Sequence, residues 1–215
     1  MRTMVGAAAG LAMLFVSMPA QGGVRVGALA GANVATLDVN MEDPDVTFRA
    51  KTFFAAGAVV EVGLSRHLSL QLEPMYLQKG GKIVIRDFFG EDASASVRLS
   101  YVELPVLLKV SKPTGRVRPY LVVGPSVGYR TSVRVKDETT GEEEDPADAD
   151  ENLRKWDFGV TAGAGLAVPA GRATVFVESR YTWGLVNLDK EDEDLTLKNR
   201  GIQVLAGFTF PIGRR

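Results

Sequence analysis

A single histidine, His67, serves all 215 residues, so any histidine-dependent chemistry would rest on it. A hydrolytic constellation needs a nucleophile, a base and an orienting acid within reach of one another. His67 follows Ser65 and Arg66 in GLSRHLSL, a tight turn between two alternating runs, and lies far along the chain from the acidic stretches. No GxSxG motif occurs. The pattern reads as a solvated turn residue and argues against an enzyme. Oxygen ligands are abundant elsewhere. Residues 137–151, DETTGEEEDPADADE, hold nine carboxylates and no base, and 189–194 read DKEDED. Neither has the ligand spacing of an EF-hand loop. Runs of like charge are usually solvated, so diffuse divalent binding is expected there in place of a specific calcium site. No cysteine is present, which removes disulfides and thiolate metal sites. No cofactor is expected.

A third set of charges sits inside otherwise apolar runs: Glu61, Glu73, Glu103, Lys109, Glu178 and Arg180. The elements that must position them alternate with a period of two. Around Ser65-Arg66, Phe54, Ala56, Ala58, Val60, Val62 and Leu64 take every second position. Leu68, Leu70, Leu72, Pro74 and Tyr76 continue the same parity beyond the turn. Successive side chains on a strand point to opposite faces, so this is a hairpin with one apolar face and one small or polar face. The same pattern recurs at 97–110, 118–133, 153–168, 173–185 and 200–210, and 24–37 reads as a first strand. Pro74, Pro105 and Pro125 lie within strands and lack a ladder donor, so bulges or irregular pairings are expected there. No segment shows sustained helical periodicity. Strands of about ten residues exceed the usual five or six and match the length that crosses a bilayer at a tilt.

Residues 1–22 differ from the rest. Arg2 gives a positive start, 5–18 are apolar, and Pro19-Ala20-Gln21-Gly22-Gly23 offers small residues. This is the layout of a secretory signal peptide, with cleavage between Ala20 and Gly23 and a barrel domain over 23–215. The apolar run is too short to span a membrane as a helix. An exported chain without a spanning helix can enter a membrane only as a closed barrel. Lysine plus arginine number 25 against 26 acids, so the net charge does not point to nucleic acid.

Eight strands are read, and their connections alternate. Long links at 38–50, 80–96 (with room for strand extensions around Ile83 to Ile85), 136–152 and 187–199 separate short turns at 65–66, 111–116 and 169–172. That alternation predicts an all-β fold: an eight-stranded antiparallel up-and-down transmembrane barrel with short periplasmic turns and long extracellular loops. Phe54, Tyr76, Tyr129, Trp156, Tyr181 and Trp183 all fall on the apolar parity, near the long-loop ends of their strands. Such a set suits an aromatic girdle at a membrane interface, with Phe208 and Phe210 in a lower girdle. Eight strands enclose an interior just wide enough for side chains, so a pore is disfavoured. Glu61, Glu73, Glu103 and Glu178 fall on the inward parity with Arg180 level among them. Lys109 and Arg118 would reach in from below, and Lys79 and Arg130 from above. The expectation is a lumen plugged by a charged network centred on Arg180.

The stretches LQLEPMYLQKGGK (70–82), YVELPVLLKV (101–110), RPYLVVGPSVGY (118–129), DFGVTAGAGL (157–166) and RYTWGLVNL (180–188) resemble the PorT-type outer-membrane β-barrel family. They cover nearly all of the mature chain, in the family's order. The resemblance implies an eight-stranded barrel in the outer membrane of a two-membrane envelope. Some relatives are linked to protein secretion, and no family site transfers. The acidic third loop departs from the pattern. The expected role is structural or interactive through the acidic loops. Expected partners are outer-membrane lipids including lipopolysaccharide, together with envelope or secretion proteins, and no nucleic acid. Two alternatives stand beside it: a soluble periplasmic or secreted lipocalin-like barrel binding an apolar ligand, and an outer-membrane lipid hydrolase.

Overall fold

In a computed structural model of the chain, residues 23–39, 46–86, 92–137, 141, 143–144, 154–186 and 197–213 are described. The candidate signal segment 1–22 and most of the acidic stretches 137–151 and 189–194 lie outside them. Among the described residues eleven strands follow one another: β1 (Val24–Val39), β2 (Val46–Arg49), β3 (Lys51–Gly63), β4 (Leu68–Leu72), β5 (Met75–Arg86), β6 (Asp92–Ser111), β7 (Arg118–Asp137), β8 (Glu143–Glu144), β9 (Trp156–Ala170), β10 (Ala173–Gly184) and β11 (Leu197–Ile212).

Eight walls close into a ring. β4 and β5 are two halves of one wall, and β2 and β8 are short additions to β5 and β7. Around the ring β1 pairs with β3, β3 with β4 and β5, and these with β6. The ring continues through β7, β9, β10 and β11, which returns to β1 over Val24–Val39. Every pairing is antiparallel, and closure leaves the eight walls no unpaired edge to expose to lipid.

Two loops are shorter than the sequence pattern suggests. The stretch 80–96 is mostly strand, because β5 runs on to Arg86 and β6 starts at Asp92, in continuous register from Met75↔Glu103 to Arg86↔Asp92. Ile83, Val84 and Ile85 mark the extension in the sequence, but the glycines and polar residues on either side of them hide its alternation. The stretch 38–50 contains β2, which pairs with Lys82–Ile85.

The prolines interrupt the ladders unequally. Glu73-Pro74 separates β4 from β5; the Pro74 carbonyl accepts from the Ala58 amide at 3.0 Å, and that of Pro105 from Glu73 at 3.1 Å. Between β6 and β7, the ladder skips Val106-Leu107 and Gly124-Pro125, yet its register is unchanged on either side. The register shift falls at Ser100/Tyr101, where Thr131 is the extra residue, and not at a proline. Its hydroxyl donates to the Ser100 carbonyl at 3.2 Å.

Burial follows strand parity. On β10, Arg180 is 2 % exposed while Trp183 is 43 % exposed. The interior is a cluster including Leu29, Val59, Leu77, Leu107, Phe176 and Leu205 interleaved with charged and amide side chains. Outward positions from Val102 to Val110 on β6 and from Pro119 to Tyr129 on β7 carry no charge. Nine strand residues tilted about 40° rise roughly 20–25 Å, the height of an outer-membrane apolar band.

Candidate functional site

The inward side chains form three charged layers along the barrel axis. The middle layer centres on Arg180. Strand alternation turns it inward from β10, and Gly163 opposite it on β9 leaves the room. A Cβ at Gly163 would collide with the Arg180 side chain and the Ser179 carbonyl. Arg180 Nη1 lies 2.5 Å from Glu73 Oε2 and 3.3 Å from Glu178 Oε1, and all three side chains are sealed from solvent. Its Nε donates to Gln203 Oε1 at 2.8 Å, and Nη2 approaches Met75 Sδ at 3.4 Å. Gln71 donates its amide to the second oxygen of Glu73. A planar guanidinium with a fixed fork of donors suits this shared position better than an ammonium.

In the layer nearest the short turns, Lys109 on β6 donates to Glu61 Oε2 at 3.0 Å, and Ser69 donates to Glu61 Oε1 at 2.9 Å. Lys109 Nζ lies 4.3 Å from the Tyr120 ring centroid. The Tyr120 ring fills the space over Gly165, where a Cβ would clash with it.

Nearest the long loops, Lys79 Nζ lies 2.6 Å from Glu103 Oε2 and 3.0 Å from Asp157 Oδ2. It sits 5.0 Å from the Tyr101 ring centroid. Asn199 donates to the same Asp157 oxygen at 2.9 Å. Above Leu77, β5 leaves β3 and packs against β1, where the Asn33 amide donates to the Gln78 carbonyl at 2.7 Å. The cavity between Asn33, Lys79, Asn199 and Gln203 measures about 10 Å³, room for at most one water.

Glu61, Glu73, Glu103, Lys109, Glu178 and Arg180 thus face the lumen in three separate clusters. Arg118 does not join them. It stays at the turn, where its Nε donates to the Gly115 carbonyl at 3.3 Å; the strand ends too close to the rim for the side chain to turn inward. Arg130 is buried at the upper level. Lys79 does reach inward from above, where it pairs with Glu103 and also neutralises a fifth acid, Asp157. Asp157, Tyr101, Tyr120, Gln71, Gln203 and Asn199 complete the layers and were not singled out by sequence. Their signal is the inward parity they share with the charged six.

Phe54, Tyr76, Tyr129, Trp156 and Trp183 lie on the outside of the wall and are exposed; Tyr181 is half-buried. Tyr129 meets Trp156 edge-on at 5.1 Å between centroids, and Tyr181 meets Trp183 at 4.5 Å. Phe208 and Phe210 pair at 5.4 Å nearer the short turns. His67 is exposed in the turn between β3 and β4. The Ser65 hydroxyl there accepts the amides of His67 and Leu68 at 3.3 and 3.1 Å, so it shapes the turn. The described residues contain no group of three or more His, Cys, Asp or Glu placed to hold a metal.

An uncharged apolar outside wrapped around a charged, ion-paired inside is the inverse of a lipocalin-like carrier and defines an integral outer-membrane barrel. The chain belongs to the outer membrane protein beta-barrel domain family, which matches residues 17–190. Its place is the bacterial outer membrane. No curated protein matches it in sequence. Among solved structures it is similar to the outer membrane protein OprG of Pseudomonas aeruginosa, with TM-score 0.55 and 10 % identity over 89 % of this chain and 97 % of that one. It is also similar to Neisserial surface protein A, with TM-score 0.51 and 13 % identity over 89 % and 98 %. A fainter likeness, TM-score 0.41 and 10 % identity over 89 % and 97 %, runs to the outer membrane protease OmpT of Escherichia coli and carries no argument about activity.

Proposed function

We propose that this chain is a sealed, non-enzymatic outer-membrane barrel of the PorT type that acts through its acidic long loops. The observation that carries the reading is the middle layer: Arg180, Glu73 and Glu178 meet at the barrel centre with no solvent exposure. A conducting lumen needs a continuous wet path, and this layer interrupts it. The loops are then the surfaces left for recognition. Their carboxylates suit divalent-bridged contact with lipopolysaccharide phosphates, and envelope or secretion proteins are the protein partners the reading admits. The six aromatic residues serve as the outer interfacial girdle. Residues 1–22 act as the export signal and are removed.

Planar-bilayer recording of purified protein tests the seal, with conductance near zero expected. Steady, large single channels would overturn it. Protease added to intact cells should cut between Asp137 and Glu151; cleavage only after the outer membrane is breached would invert the topology.

A further inference from the structure

The three short turns between walls differ sharply from the long loops in charge. Residues 64–67, 112–117 and 171–172 contain Arg66, Lys112, Arg116 and Arg172 and no carboxylate. These basic side chains lie on turns at separate points around the ring, directly below the uncharged band. A furrow of about 1060 Å³ opens beside the first two turns, bordered by Arg66, His67 and Lys112.

Its floor is a row of outward side chains in mutual register. Val110 faces Leu121, Leu121 faces Ala164, Ala164 faces Ser179, and Ser179 faces Val204. Four strand spacings give the row a length of roughly 19 Å. Ala164 and Ser179 are small, while Leu166 and Val177 stand beside them as walls. The row also climbs. Val110 is next to the lower end of β6, whereas Val204 lies midway along β11. Leu121 on this floor is 63 % exposed, more than any other large apolar side chain among the described residues.

We infer that this furrow is a binding site for an anionic phospholipid. One acyl chain lies along Val110, Leu121, Ala164, Ser179 and Val204, and the headgroup phosphate rests against Lys112 and Arg66. Charge complementarity at the mouth selects an anionic headgroup. The apolar, rising floor selects an acyl chain over a soluble anion, and a distribution of cations around the whole rim suits a lipid annulus better than a one-sided protein. The topology proposed above puts this site in the periplasmic leaflet; the furrow itself does not rest on that topology.

The test is native mass spectrometry of the full chain in zwitterionic detergent, titrated with phosphatidylglycerol or phosphatidylcholine of the same acyl length. Heat-modifiable gel mobility verifies that each variant is folded. Phosphatidylglycerol should be retained preferentially, and Arg66→Gln and Lys112→Gln should each weaken it about fivefold, as expected for one cation near an anionic surface. Ser179→Leu and, independently, Ala164→Leu fill the floor and should reduce binding of both lipids while leaving the barrel folded. Equal retention of the two lipids, or indifference to both floor variants, would overturn the site. So would full displacement by millimolar inorganic phosphate, which would reduce it to a free-anion site, or equal binding of a polyglutamate peptide. Because the measurement is made in detergent, it stands whether or not the protease experiment inverts the topology.

Discussion

β10 carries two chemistries on one backbone. Glu178, Arg180 and Thr182 point into the lumen and are buried, while Val177, Ser179 and Trp183 point out and are exposed. In a soluble barrel these roles would be exchanged. The inward face tolerates charge because each charged group finds a partner within a short distance. The outward face has no such partner in hydrocarbon, and it carries no charge at all through the band. Solvent quality thus decides which face may be polar, and strand parity merely distributes the residues. The two faces should therefore respond oppositely to the same kind of substitution.

The largest effect is expected inside. Arg180→Ala leaves Glu73 and Glu178 sharing a sealed centre with no central cation. Breaking a buried ion pair in this one-sided way costs about 3–5 kcal/mol. Urea unfolding in lipid vesicles should show that loss, with partial recovery in Arg180→Lys, which keeps the charge and loses the fork. An Arg180→Ala protein as stable as wild type would remove the middle layer as a structural element.

On the opposite face, adding a charge should do the damage. Leu104 points outward from the middle of β6 and is exposed. Leu104→Arg should cost about 2–4 kcal/mol if it lies near the bilayer midplane. Measured alongside Arg180→Ala, it gives the comparison its sharpest form: removing arginine inside and adding it outside both destabilise. A neutral Leu104→Arg would mean that this wall is not in lipid.

A smaller effect follows from how the faces fit together. Gly163 lies opposite Arg180, where a Cβ has no space. Gly163→Val should overpack the lumen and cost on the order of 1–3 kcal/mol, read from the same unfolding curves. Ala164→Val, one residue along and facing out, should be nearly neutral. Equal costs at the two positions would mean that inward packing around Arg180 is looser than its contacts imply.

Much of the barrel is legible in the sequence, because alternation is a strong signal wherever one face is apolar. The hairpin about Ser65-Arg66 and the short turns at 111–116 and 169–172 are visible for that reason. The upper halves of β5 and β6 are not, since Gly80, Gly81, Lys82 and Ser94 to Ser96 blur the two faces. Parity places Glu73 and Arg180 on the same side, but it gives no heights across a tilted ring. The sequence therefore suggests one network centred on Arg180, whereas register divides it into three layers. Lys79 looks peripheral along the chain and becomes central only because Met75↔Glu103 and Gly128↔Asp157 bring two acids beneath it. Neutral partners such as Gln203 and Asn199 carry only their inward parity as a signal, and nothing in their type marks them out.

The smallest effect separates the layers themselves. The Lys109–Glu61 pair is the most open of the three, with side chains 10 % and 15 % exposed, against none for Arg180–Glu73. Partial solvation lowers both the Coulomb attraction and the penalty for leaving one partner alone, so the pair should couple weakly. A double-mutant cycle of Lys109→Gln and Glu61→Gln should give about 1 kcal/mol or less. Part of the Lys109 effect should persist in the Glu61→Gln background, because its ammonium also lies over the Tyr120 ring. Salt offers an independent reading. Raising ionic strength from about 0.1 to 1 M shortens the screening length from roughly 10 to 3 Å. That should erode the Lys109–Glu61 coupling and leave the sealed Arg180–Glu73 coupling unchanged. If both couplings fall equally with salt, water and ions reach the barrel centre, and the contrast between a closed middle layer and an open lower one fails.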